Sequence, residues 1–374
     1  MMEGVRIDRV RLVHVPVELV SPLRTSGGAH QSRIATLVEV TDESGNVGWG
    51  ENVAPSTVDY TGEQHDRSVA AMSEVLVPTL VSRNVDVHEM HPEQWWGVDG
   101  WNMAKHALES AVWDVEARRA GTSLSRLLGG VRDHVAPGVV VGMADSIDLV
   151  VQECLSRVAE GYSRVKVKIA PGWDLDVVKA VREAIGATVT LQVDANASYE
   201  PTDIARLVLL AESDVQFIEQ PFAADNLGAH AALEASATVR VCLDESVMTR
   251  DQLSRAIEMH ACSVVNIKPS RVGGIGEAVA MHDMLQSRGV DAWVGGMLET
   301  GIGRASCLAL ASLPGFTLTP DLSASNRYFR RDVTAEFTLH NGCIAVPDGP
   351  GIGVVLRADV LDAPGTRTET VFER

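Results

Sequence analysis

The sequence predicts an α/β protein, a parallel β/α barrel beside a smaller α+β unit. Three observations carry this. Between Arg164 and Lys268, five short apolar runs each end in a charged residue: Val165-Lys166-Val167-Lys168, Leu191-Gln192-Val193-Asp194, Val215-Gln216-Phe217-Ile218-Glu219, Val241-Cys242-Leu243-Asp244 and Val264-Val265-Asn266-Ile267-Lys268. The charged ends recur about every 25 residues, room for one strand, one helix and two short loops, and parallel strands need such crossovers. Before residue 131 the plan differs: strands come first and helices after.

In chain order, Val5 to Val17 and Ile34 to Val40 cluster or alternate β-formers, and Glu43-Ser44-Gly45 marks a turn into Val47 to Glu51. Ser21 to Gly28 is too rich in small residues for a packed element and reads either as a surface loop or as a lid. Ser68 to Val81 is apolar on one face. Asn102 to Ala120 spaces Ala107, Leu108, Ala111, Val112 and Val115 helically, with Gly121 as C-cap. Trp95, Trp96, Trp101 and Trp113 read as filling a core or a subunit interface rather than as a stacking platform for nucleic acid. Leu127-Leu128-Gly129-Gly130 closes this unit. Val135 to Val141 is the expected first barrel strand. Helices are expected over Asp174 to Ile185, Thr202 to Leu210, Asp251 to Glu258 and Ile275 to Arg288. The last strands are expected near Ala292-Trp293-Val294 and Thr317-Leu318-Thr319, and strand-like pieces recur in Ala335 to Arg374.

Bulk properties narrow the function. A chain of 374 residues, 45% hydrophobic and 22% charged, is ordinary for a globular enzyme. A formal net charge of −18 argues against nonspecific nucleic-acid or anionic-membrane binding. Cys154, Cys242, Cys262, Cys307 and Cys343 are scattered without a CxxC pair, so neither a disulfide framework nor a zinc site is expected. The start has no apolar leader and no run approaches a membrane span, so a cytoplasmic protein is expected. Nucleotide fingerprints, HExxH and the GxSxG elbow are absent.

Barrel ligands bind at the C-terminal strand ends. There the order is Lys, Asp, Glu, Asp, Lys. Asp194, Glu219 and Asp244 offer three oxygen ligands on successive strands, a hard-cation site suited to Mg²⁺. Lys166 and Lys168, two apart on a strand, share a face and would be costly inside a barrel unless anions meet them. Two structural alternatives stand beside this: an ion-pair network, or aspartates that merely cap the next helix. Gly273-Gly274 before the Ile275 helix is a candidate anion site.

Lys166-x-Lys168, Val193-Asp194-Ala195-Asn196, Ile218-Glu219-Gln220-Pro221, Leu243-Asp244-Glu245-Ser246 and Ile267-Lys268-Pro269 resemble the motifs of the enolase superfamily. Finer features resemble its o-succinylbenzoate synthase / N-succinylamino acid racemase family: Ile169-Ala170-Pro171-Gly172-Trp173-Asp174, Lys268-Pro269-Ser270-Arg271-Val272-Gly273-Gly274, Gly295-Gly296-Met297-Leu298-Glu299-Thr300-Gly301 and Asp321-Leu322-Ser323-Ala324-Ser325. The resemblance covers nearly the whole chain. It implies a modified TIM barrel, (β/α)7β, over 132–334, with an α+β capping domain over 1–131 completed by 335–374. It implies Mg²⁺ as cofactor, with Mn²⁺ or another divalent ion able to substitute, and a homo-oligomer acting on a small-molecule carboxylate. Lys168 is the implied reacting base and Lys268 faces the opposite side of the substrate. Lys166 supports from near the ligand carboxylates or Glu245, and Asn196 orients the metal or substrate. Arg271 either tunes Lys268 or bridges to a neighbouring loop. Two loops, one with Leu23 and one over Pro55 to Glu63 with Tyr60, would wall the substrate's distal end. Gly295 and Gly296 would offer backbone N–H groups where a side chain would crowd a ligand carboxylate. Met297 and Leu298 are pocket wall or ordinary core. Val140 stands where relatives often carry a small hydroxyl residue, and Pro55 replaces a commoner apolar one, so the distal pocket departs from the pattern.

The implied chemistry is removal of a proton beside a carboxylate. The product carries two negative charges, which a divalent ion can hold. The base must act neutral, so a lysine pKa of about 10.4 must be lowered by burial and cationic neighbours. The implied reaction is dehydration of 2-succinyl-6-hydroxy-2,4-cyclohexadiene-1-carboxylate to o-succinylbenzoate, a menaquinone-pathway step. Racemisation of N-succinyl or other N-acyl amino acids is the alternative. A non-catalytic binding barrel is the reading from a different class.

Overall fold

The structure, a computed structural model, describes residues 4–374 apart from 26, 27, 59, 93 and 237, and the side chains of 22–31 lie outside that description. Thirteen strands form among the described residues. β1 (Ile7–Thr25), β2 (Gly28–Asp42) and β3 (Val47–Asn52) make an antiparallel meander, and β13 (Arg367–Glu373) joins its outer edge in the order β13-β1-β2-β3. The turn after β2 forms because Asp42 accepts the Ser44 and Asn46 N–H groups while Gly45 takes φ +81°. Helix Asn102–Arg119 lies on this sheet. Gly48 and Gly50 allow the close approach, since a Cβ on either would overlap the Ala111 or Ala107 carbonyl.

The expected lid differs from a loop in its backbone. β1 runs on to Thr25 and β2 starts at Gly28, with Leu23 opposite His30 after a register break. Leu23's side chain falls outside the described residues.

The second sheet is parallel and holds β5 (Val139–Val141), β6 (Arg164–Lys168), β7 (Thr190–Asp194), β8 (Val215–Glu219), β9 (Val241–Leu243), β10 (Val264–Ile267) and β11 (Asp291–Val294) in sequence order. Helices such as Leu175–Ile185, Arg250–Glu258 and Ile275–Arg288 make the crossovers. The amphipathic pattern explains them: Val177, Val178, Val181 and Ile185 form the buried face of the first.

Two strand expectations are corrected. Val135 to Val141 is not continuous: β4 (His134–Val135) pairs antiparallel with β12 (Ile344–Ala345), and only β5 enters the barrel. Pro137 lacks an N–H to donate, and a side chain at Gly138 would overlap the Arg164 guanidinium. Thr317 to Thr319 forms no strand either. Thr317 and Leu318 both donate to the Ala292 carbonyl, and the chain then closes the ring through Asp321 N to Val294 O at 3.0 Å and Gly138 N to Pro320 O at 2.8 Å. Among the described residues no helix is long and apolar enough to cross a membrane.

Candidate active site

Strand alternation builds the site. On β6, Val165 and Val167 are buried on one face, and Arg164, Lys166 and Lys168 form a column of cations on the other. The neighbouring strands are in register, Lys168 opposite Asp194 and Asp194 opposite Glu219, so the charged ends arrive at one level. Asp244 follows the end of β9 and Lys268 follows the end of β10.

Each carboxylate is held by donors. Asp194 accepts from Lys168 at 2.6 Å and lies 3.5 Å from the Lys166 ammonium. Glu219, fully buried, accepts from Lys166 at 2.6 Å and from the Asn266 amide at 2.7 Å. Asp244 accepts from Lys268 at 2.7 Å, from the Tyr60 hydroxyl at 2.9 Å, and from Arg271. Asn196, at φ +41°, accepts from Lys168 at 2.5 Å and donates to Glu245 at 3.0 Å. The Gln220 side-chain Oε1 accepts the Asp244 N–H at 2.9 Å and so fixes that loop.

Burial works against charge on Lys166 and Lys268, but the surrounding oxygens outweigh it. The Asp321, Glu219 and Asp194 carboxylates do so for Lys166; the Tyr60 hydroxyl oxygen, which accepts from Lys268, does so for Lys268 together with Glu219 and Glu245. Both ammonium groups are therefore held above the ordinary lysine value. Carboxylate oxygens are turned to both ammonium groups. Conversely, Lys168 and Lys166 overcome the burial of Asp194 and lower its pKa. Glu245 is raised by burial.

Several residues sit elsewhere than the sequence led one to expect. Tyr60 extends from the capping loop to the charged centre, where its hydroxyl donates to Asp244 and accepts from Lys268 at 2.9 Å. Arg271 is fully buried and also holds the Val247 and Asn266 carbonyls, at 3.0 and 2.5 Å. The Gly295 N–H is spent on the Ile267 carbonyl at 2.9 Å, so it offers no donor to a ligand; its missing side chain instead makes room for Lys268 and Asn266. The Gly273-Gly274 helix start is filled internally by Glu109, which accepts from Ile275 and Gly276. Met297 packs with Val53, Ala54 and Met103 beside Tyr60.

Asp321 was missed as a site residue. It pairs with Arg164 at 2.5 Å and Lys166 at 2.6 Å, and these cations hold its carboxyl well below the usual range. Its signal was present: it is a charged residue just past the last strand-like piece. Asn266 was missed too, although it lies on β10, two residues before Lys268.

A cavity of about 210 Å³ opens on these groups, lined by Lys166, Lys168, Asp194, Lys268, Gly296 and Leu298 among others. Val140 also reaches it. Beside it, Val53, Ala54, Pro55, Met297 and Leu298 line an apolar cleft of about 430 Å³. Among the described residues, no three His, Cys, Asp or Glu side chains already stand as a cation cage. The donor chemistry nonetheless fits a hard cation: three buried carboxylates on adjacent strand ends, with the Glu245 Oε2 atom buried nearby without a hydrogen-bond partner.

Residues 149–360 match the family described as enolase C-terminal domain-like. The chain belongs to the enolase superfamily. Residues 7–129 match the N-terminal domain of the mandelate racemase / muconate lactonizing enzyme family. The chain is 42% identical over 358 residues to the o-succinylbenzoate synthase of Bacillus subtilis (strain 168), covering 96% of each. It is 40% identical over 358 residues to the N-succinylamino acid racemase of an Amycolatopsis species, covering 96% of this chain and 97% of that one. A solved enolase-superfamily member from Listeria innocua Clip11262 shares 34% identity and superposes with a TM-score of 0.93, over 98% of this chain and 100% of the other. The family resemblance in the motifs and the capped-barrel fold both stand on these matches.

Proposed function

We propose that this enolase-superfamily enzyme is an o-succinylbenzoate synthase, a carbon–oxygen lyase dehydrating 2-succinyl-6-hydroxy-2,4-cyclohexadiene-1-carboxylate. The observation that carries this reading is one cavity walled by Lys168 and Lys268, with Asp194 between them in the strand order. Relatives bearing the synthase name share 42–43% of their residues with this chain over nearly its full length.

Asp194, Glu219 and Asp244 would hold a hard divalent cation, Mg²⁺ first, with Mn²⁺ a substitute. When bound, that ion supplies positive charge at the substrate carboxylate, which favours loss of the neighbouring proton. Lys168, in its neutral form, takes the α-proton. The bond to the hydroxyl oxygen then breaks, and Lys168 returns the proton so that water leaves. Lys268 contributes a cation on the other side, positioned by Tyr60 and Asp244. The same proposal includes the division into a 132–334 barrel and a cap of 1–131 with 335–374, a menaquinone-pathway role, a cytoplasmic setting, and a homo-oligomer without nucleic-acid or membrane partners.

A second activity, racemisation of N-succinylamino acids, is favoured by Lys268. It comes from a strand four places from that of Lys168, opens on the same cavity and has acid–base chemistry of its own. The deciding assay follows the aromatic product by absorbance with Mg²⁺ present or chelated. Metal-dependent product formation, lost in Lys168→Ala, is expected. No dehydration by the metal-loaded wild type would overturn the synthase reading.

A further inference from the structure

Leu298 lines three cavities, and two of them bear on the substrate. One holds the reacting lysines, and the other is the apolar cleft formed with Val53, Ala54 and Pro55 of the cap. It does so from a left-handed backbone, φ +63°, which a leucine seldom adopts unless its surroundings impose it.

Two cap residues impose it. Arg33 on β2 donates to the Leu298 carbonyl at 2.9 Å and to Glu51 at 2.8 Å. Glu51 on β3 is buried and accepts the Thr300 N–H at 2.9 Å, the Thr300 hydroxyl at 2.7 Å and the Gly303 N–H at 3.1 Å. Gly303 is bare where Glu51 approaches, and a Cβ there would stand 2.9 Å from its oxygen. The Arg33–Glu51 pair thus grips both ends of the segment 298–300, at the start of helix Gly301–Ala311.

We propose that Arg33 is a positioning residue for selectivity: by holding Leu298, it keeps the reaction cavity closed to the apolar cleft and so limits the size of the substrate's side chain. The inference rests on the proposed activity toward N-succinylamino acids and deepens it. Without the Arg33 bond, the Leu298 backbone is free to leave its left-handed state and the two spaces merge. Larger apolar side chains then gain room that the wild type denies them.

The test compares kcat and KM for racemisation of N-succinyl-L-alanine and N-succinyl-L-phenylalanine by the Mg²⁺-loaded protein. Removing Arg33 alone would strand a buried carboxylate, so Glu51→Gln is the reference and Arg33→Met/Glu51→Gln the test. The phenylalanine-to-alanine ratio of kcat/KM should rise about tenfold in the double variant over the reference, chiefly through KM. Leu298→Gly should raise the ratio similarly, and adding it to the double variant should give no further rise, since the residues act through one wall. An equal loss on both substrates with an unchanged ratio, the signature of a merely structural role, overturns the selectivity proposal. If the double variant does not fold, an unchanged ratio in Leu298→Gly overturns it alone. Wild type that turns over neither compound overturns the racemase reading, and this inference with it.

Discussion

Lys268 and Arg271 converge on the same carboxylate, Asp244. Lys268 reaches it at 2.7 Å from the end of β10, and Arg271 meets it from the following turn. A cation that takes Asp244 as a ligand therefore competes with two side chains already paired to it. Asp194→Asn, Glu219→Gln and Asp244→Asn should each weaken Mg²⁺ binding at least tenfold by calorimetry and lower activity in parallel. Unchanged affinity in all three would remove the proposed ligand set.

The two lysines separate the two reactions. Racemisation needs an acid–base group on each face of the planar intermediate, whereas syn elimination needs one. Lys268→Arg should abolish racemisation while keeping α-proton exchange of one N-succinylamino acid enantiomer. Lys168→Arg should keep exchange of the other enantiomer and slow dehydration at least ~100-fold. Proton NMR of each enantiomer in deuterated water reads both outcomes. Comparable exchange of both enantiomers by either variant contradicts the assignment.

Asp321 compensates two buried cations, Arg164 and Lys166. Asp321→Asn should cost about 3–5 kcal/mol of stability, since it takes from buried Arg164 its carboxylate partner, whereas Lys166 keeps Glu219 and Asp194. Denaturant unfolding measures this. A loss below ~1 kcal/mol would mean that Arg164 finds another partner.

Glu109 predicts a pH effect remote from the charged centre. Burial lifts its carboxyl from 4.5 to about 7, against the pull of the Gly276 and Ile275 N–H groups and Trp113. The folded state keeps a proton that the unfolded chain releases, so this residue's stabilising contribution falls as pH rises from about 4.5 to about 7. The full effect is on the order of 3 kcal/mol. Glu109→Gln should flatten the dependence of the unfolding midpoint between pH 5 and 7.5. Its baseline should drop at every pH, because an amide NH₂ then faces a backbone N–H. Wild type and variant with parallel pH curves would refute the raised value.

What the sequence made legible was periodic. Alternation on β6 put Lys166 and Lys168 on one face, and the repeated strand-end charges brought Asp194 level with Glu219, with Asp244 just past the end of the next strand. The Pro137-Gly138 break was visible in the sequence and outweighed the β-formers on either side. Tyr60's approach to Lys268 spans the cap and the barrel, so no local pattern marks it. Leu298 carries no turn residue to announce its left-handed backbone; Arg33, more than two hundred positions upstream, secures that segment. Asp321 escaped because its segment closes the barrel by single hydrogen bonds rather than a ladder.

The pairing of β13 with β1 bears on how the chain comes off the ribosome. Arg9 lies opposite Glu373, and the whole barrel is encoded between them. β1 is made early, yet one of its edges waits uncovered until residues 367–373 emerge. During that interval, β1 offers open backbone donors and acceptors to any passing strand, a hazard for nascent chains. Shortening the protein before Arg367 would make that exposure permanent, so a soluble, well-behaved product should require the last strand even though it lies far from the lysines.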